Sequence, residues 1–220
     1  MQRTIIGAAT AALLLSGAAS AELVQIDITG SVDFGGLNFG SWAGVTPGDS
    51  AVMSFQVDSD VFVDSGSFPT RGYEIINSSF SLALDGIEVG MADPYPAGQT
   101  PYFVLRDNDP AVDGFFLANS PDAFPNGVAI DEDAAINPQF NAIFQATYGG
   151  DRLSSLDILD ATGVYDFTGL SVFNWGIEDA GFQPMGFIFD QFTISVVPGP
   201  AGVLAMLPVT LLGRRRRRGG

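Results

Sequence analysis

Carboxylates are the side chains of this 220-residue chain that could do chemistry, and they come in clusters. Asp107-Asn108-Asp109, with Asp113-Gly114 shortly after, gathers side-chain oxygens in one short stretch. Oxygen donors packed into a loop suit a hard cation such as Ca2+. The spacing is not that of an EF-hand, because Pro110 and Ala111 interrupt the ligand positions and the bidentate Glu is missing. A solvated acidic turn is the other reading of the same residues. Asp131-Glu132-Asp133 is a second dense patch, whose mutual repulsion either solvent or a cation relieves. No cofactor is assigned; Ca2+ is the cation these stretches would suit, with Asp107, Asp109, Asp113, Asp131 and Asp133 as its candidate ligands. Asp58, Asp60 and Asp64 alternate near a strand end, where keeping an edge soluble is the simpler role.

Other chemistries are closed off by composition. The chain has no Cys, no His and no Lys. That removes thiol nucleophiles and disulfides, imidazole bases and ordinary zinc sites, Schiff bases and the Ser-His-Asp triad. Paired carboxylates, as in glycoside hydrolysis, are what an enzyme here would have to use. With 25 acidic residues some pair always falls at a suitable separation, and no signature selects one. The reading is non-enzymatic, with no catalytic residue assigned. Trp42 and Trp175 fit the rim of the core, and their rings could also stack on sugars, which keeps a Ca2+-dependent carbohydrate-binding module open as the alternative function.

Charge divides the chain into three parts. One arginine, Arg3, lies near the start, and Arg214 to Arg218 form a run near the end. Between them Arg71, Arg106 and Arg152 face all 25 acidic residues, a formal charge of −22. Such a surface repels phosphate backbones, so nucleic acid is not expected as a partner.

The two ends read as addresses. Arg3, the uncharged apolar stretch from Ile5 to Leu15 and the small residues Ala19 and Ala21 have the form of a secretory signal peptide over residues 1–21, with cleavage expected before Glu22. At the other end Pro198-Gly199-Pro200 breaks regular structure. An apolar run over 201–213 follows, then Arg214, Arg215, Arg216, Arg217 and Arg218. As a helix that run spans about 20 Å at ~1.5 Å per residue, short of the roughly 30 Å hydrocarbon core. Such a segment suits a transient stop, with the arginines left cytoplasmic.

Proline-x-proline, a short apolar helix and a terminal arginine cluster resemble the PEP-CTERM sorting signal of Gram-negative bacteria. The chain departs from it at Gly199, where the family has Glu, and carries Pro208 inside the apolar run. The resemblance implies recognition of residues 198–220 by an exosortase-like transpeptidase. It also implies transient anchoring in the inner membrane and delivery to the cell surface or to an extracellular polysaccharide matrix. The middle of the chain resembles ectodomains sorted in this way, through "AVMSFQVDSD", "YEIINSSFSLALDGIEVG" and "FDQFTISVVPGP". That match implies architecture and a structural or adhesive role rather than a reaction.

Residues 22–197 must then supply the folded domain. Val24, Ile26 and Ile28 alternate with Gln25, Asp27 and Thr29, the pattern of a half-buried strand. Ala51 to Asp58, Tyr102 to Leu105, Phe115 to Leu117, Phe140 to Tyr148 and Phe187 to Val196 are further strand-like runs. Residues 79–91 read as a hairpin on the Asp85-Gly86 turn. The stretch from Asp151 to Leu159 fits a short helix or a loop edge, and the proline-rich residues 92–138 read as long surface loops. Helical periodicity is otherwise scarce. The expected fold is all-β, a β-sandwich or jelly roll, with 18 phenylalanines packing its interior.

Overall fold

A computed structural model describes residues 21–37, 40–109, 111–120, 122, 125–132, 140–179 and 182–199, Phe182 by its backbone alone. The signal-peptide residues through Ser20, including Ala19, lie outside the described residues, as do Pro200, the apolar run, its expected helix and the arginine cluster. Among the described residues no helix is long and apolar enough to cross a membrane.

The described chain is all-β, with twelve strands and one 3-10 turn at Asn77–Ser79. The strands are β1 (Leu23–Gly35), β2 (Ser50–Asp64), β3 (Thr70–Ile75), β4 (Ser81–Leu84), β5 (Ile87–Val89) and β6 (Tyr102–Arg106). They continue with β7 (Val112–Ala118), β8 (Val128–Ile130), β9 (Phe140–Gly149), β10 (Gly163–Tyr165), β11 (Leu170–Asp179) and β12 (Phe182–Val196). Eight of them follow one another in the order β1-β12-β11-β9-β7-β6-β3-β2, and β2 pairs again with β1. Every one of these pairings is antiparallel. The all-β expectation holds. The two-sheet sandwich or jelly roll does not describe this pairing, because β1 bonds to β12 on one side and to β2 on the other, closing the sheet into a barrel. Closure removes the free edges that an open sheet would leave for aggregation.

Period-2 alternation decides what fills the barrel. Val24, Ile26 and Ile28 of β1 point inward and are fully buried, as are Met53, Phe55 and Val57 of β2. Their outward neighbours make a polar ladder: Gln25 Nε2 donates to Ser54 Oγ at 2.7 Å, Ser54 Oγ to Asp27 Oδ1 at 2.7 Å, and Gln56 Nε2 to Gln25 Oε1 at 3.0 Å. Aromatic rings occupy the centre. Phe115 lies 4.6 Å from Tyr165, 5.0 Å from Phe192 and 6.0 Å from Phe103, and Phe192 lies 5.4 Å from Phe144. A barrel of eight strands is just wide enough for its side chains to fill, and here rings fill it.

The Asp85-Gly86 turn forms as its sequence predicts, with φ of 51° and 78°, joining β4 to β5 on the flank of β2. Residues 92–138 are not only loops, since β6, β7 and β8 lie within them and supply barrel wall. The stretch from Asp151 to Leu159 contains turns and no helix. It belongs to a segment over 150–162 that closes the barrel end below β9, burying Leu153, Ile158 and Ala161.

Candidate functional site

The acidic stretch 107–113 forms the turn between β6 and β7. Asn108 takes a positive φ of 53°, and Asp109 N donates to Val112 O at 3.1 Å, which tightens the turn. Asp113 begins the inward face of β7, the face continued by Phe115 and Leu117, and is fully buried. A buried carboxylate needs partners, and this one has three. Its Oδ1 accepts from Asn108 N at 2.9 Å, and its Oδ2 accepts from Leu153 N at 2.8 Å and from Arg152 N. Asp113 therefore ties the β6–β7 turn to the start of the closing segment.

A second tie lies across the barrel end. Tyr73 of β3 donates its hydroxyl to Leu156 O at 2.7 Å and accepts from Ile158 N at 2.9 Å. Burial pushes the Tyr73 phenol above its usual range, against the opposing effect of its hydrogen bond with Arg71. Tyr165 OH donates to Ala161 O at 2.7 Å, and burial pushes this phenol up to about 12. Three inward side chains from different strands thus hold one irregular segment in place.

The other candidate ligands do not converge on Asp113. Asp107 is part-buried, and burial followed by the charge of Asp113 raises its pKa, Asn108 opposing the shift with a hydrogen bond to Oδ1 at 2.8 Å. Asp109 lies 3.7 Å from Arg106, an ion pair within the turn. Asp131 is exposed and follows β8, which pairs with the first residues of β9, whereas Asp113 sits beside Tyr148 near its end. Asp133 lies outside the described residues. Among the described residues no group of three or more acidic side chains is arranged to hold a metal ion. In the second acidic patch Glu132 is buried, accepting from Ser41 N at 2.7 Å with its other oxygen unpartnered.

The tryptophans are not a sugar platform. Trp42 and Trp175 are 0% and 1% exposed, so neither ring face can meet a ligand. Trp42 Nε1 donates to Ile87 O at 3.0 Å, pinning the loop after β1 to the β4–β5 hairpin. Trp175 packs edge-on against Phe187 at 5.1 Å. A shallow cleft of about 350 Å3 lies beside the 3-10 turn, lined by Asn77, Ser78, Phe80, Met91 and Asp93. It brings a single carboxyl and no basic group, too little to assign a reaction to it.

Sequence reasoning missed Tyr73 and the true role of Asp113. The available signal for Asp113 was an acid at an inward strand position, sharing its face with Phe115 and Leu117. No known protein family, curated protein or solved structure matches the chain.

Proposed function

We propose that the chain is an exported protein of a Gram-negative cell surface or extracellular polysaccharide matrix, with a structural or adhesive rather than catalytic role. Its tail is read as a signal for an exosortase-like enzyme, and its barrel as the domain delivered. The observation that carries this reading is the layout of the sequence. An apolar leader with Ala19 and Ala21 stands on one side of the acidic domain, and Pro198-Gly199-Pro200, an apolar run and Arg214 to Arg218 stand on the other. The barrel adds geometric support. Val24 at the start of β1 pairs with Val196 at the end of β12, so both flanking segments join the domain at one rim.

The test is the mass of the mature protein recovered from cells and medium. A chain beginning at Glu22 and ending near residues 198–200 supports the reading. A chain intact through Gly220, held stably in the inner membrane, refutes the sorting step.

A further inference from the structure

The β2–β3 hairpin carries apolar side chains that the barrel does not use. Past its Leu23↔Asp58 pair, β2 runs on to Asp64 before the chain turns back into β3. On this extension Val61, Phe62 and Val63 are 46%, 40% and 47% exposed, and Phe68 at the tip is 47% exposed. The tip nonetheless has a fixed shape. Ser65 N donates to Thr70 O at 3.0 Å, and Ser65 Oγ accepts from Ser67 N at 3.0 Å and Phe68 N at 2.9 Å. The Arg71 guanidinium lies 3.9 Å over the Phe62 ring and pairs with Asp64 at 2.6 Å.

Register fixes where the hairpin points. Val197 N donates to Leu23 O at 2.8 Å and Ser59 N to Glu22 O at 3.0 Å, so β12 leaves the barrel at the rim from which the hairpin projects. Leu23 and Val196 add two more exposed apolar side chains there. Residues 197–200 separate that rim from the apolar run, a tether of at most roughly 17 Å at full extension. Whatever the run inserts into, the hairpin tip lies within reach of it.

We propose that this rim is a membrane-docking face, with Val61, Phe62, Val63 and Phe68 entering the headgroup region of a lipid bilayer beside the inserted tail. The inference rests on the reading of residues 201–213 as a membrane segment. Apolar side chains at an interface gain by burial there, and the Arg71 head stacked on Phe62 enters a headgroup layer that is polar enough to keep it charged. Asp64 and Asp122 at the tip, Asp107 in the turn bonded to Pro69, and Asp58 and Asp60 further down the hairpin favour a surface without net negative charge. The same acids, on a domain of formal charge −22, disfavour a second copy of this chain as the occupant.

The absence of cysteine makes the test clean, because Val63→Cys or Phe68→Cys carries a single environment-sensitive label. Ala43→Cys, exposed in the loop at the opposite barrel end, is the control. The chain from Glu22 through Gly220, without the leader, is reconstituted with phosphatidylcholine vesicles, floated on a gradient and checked for sheet content by circular dichroism. The expected result is flotation, a severalfold rise and blue shift of hairpin-label emission, quenching by spin-labelled lipid, and no change at residue 43. Flotation with aqueous hairpin labels overturns this inference and leaves the anchoring tail standing. Failure to float overturns both. A label shift that needs no vesicles and grows with protein concentration assigns the hairpin to self-association and overturns the membrane reading.

Discussion

Replacing Asp113 by alanine isolates the clasp on the barrel end. The carboxylate is fully buried and accepts three backbone N–H groups, from Asn108, Arg152 and Leu153. Hydrogen bonds to a charged acceptor contribute about 1.5–3 kcal/mol each, and three of them set an upper bound of roughly 9 kcal/mol. The Arg152 and Leu153 amides sit at the start of an irregular segment that can shift towards water, which recovers part of that. The expected loss is therefore about 3–5 kcal/mol, comparable to stripping one partner from a buried charged network. For a domain of this size that lowers the thermal midpoint by about 6–20 °C. Circular dichroism melts and urea titrations at neutral pH read the change. A loss below about 1 kcal/mol refutes the clasp, since no buried carboxylate with three charge-assisted bonds is so cheap to remove. Calcium separates the clasp from a metal site. Should millimolar CaCl2 raise the midpoint of the parent chain but not of Asp113→Ala, the carboxylate is a cation ligand and not a clasp.

Three further outcomes follow, two from side chains at the same barrel end and one from the β1–β12 pairing. Tyr73→Phe removes the hydroxyl that bridges Leu156 O and Ile158 N, and is expected to cost about 2 kcal/mol by urea titration. Combined with Asp113→Ala its effect is less than additive, because both side chains hold one segment. Asp107→Asn stabilises the fold at pH 7, because the folded carboxyl titrates above its usual value of 3.8 and its charge costs stability at higher pH. The gain fades as pH falls below that value, where the parent carboxyl is protonated in both states, and melts at pH 7 and pH 3 compare the two. Gly30→Ala places a methyl group against the Ile188 carbonyl across the β1–β12 pairing, at the register shift between Thr29 and Gly30. We expect a loss of about 3 kcal/mol or more, read as a lower urea midpoint with the slope unchanged.

Local patterns were legible in the sequence where a period or a turn fixes them. Val24, Ile26 and Ile28 point inward as their alternation requires, and Asp85-Gly86 makes the positive-φ turn its residue types favour. Closure was not legible, because it depends on β1 meeting both β12 and β2, pairings of long sequence separation that no local pattern encodes. β11 escaped notice because Ser171, Val172, Phe173 and Asn174 are all exposed, so its outer half does not alternate. Asp113 resembled a metal ligand because its sequence neighbours are Asp107 and Asp109. Two of its three partners, Arg152 and Leu153, lie some forty residues away, and all three offer only backbone. Trp42 and Trp175 belong to the core, the simpler of the two readings their rings allowed, and only their burial decides against a sugar platform.

The adjacency of β1 and β12 also sets how this domain carries load. Pulled apart by its two flanking segments, the pair begins to open at Val24↔Val196, and its bonds fail one after another as in a zip. Held by the tail and pulled from the opposite rim, the domain resists differently. The pairing from Val24↔Val196 to Gly35↔Met185 then lies along the force, and its bonds share the load in shear. β10 and β11 brace the other side of β12 at separate stretches, so sliding that strand breaks contacts on both flanks at once. A barrel tethered at one rim is in this respect a directional link, yielding when its ends are peeled and firm when something grips its far side.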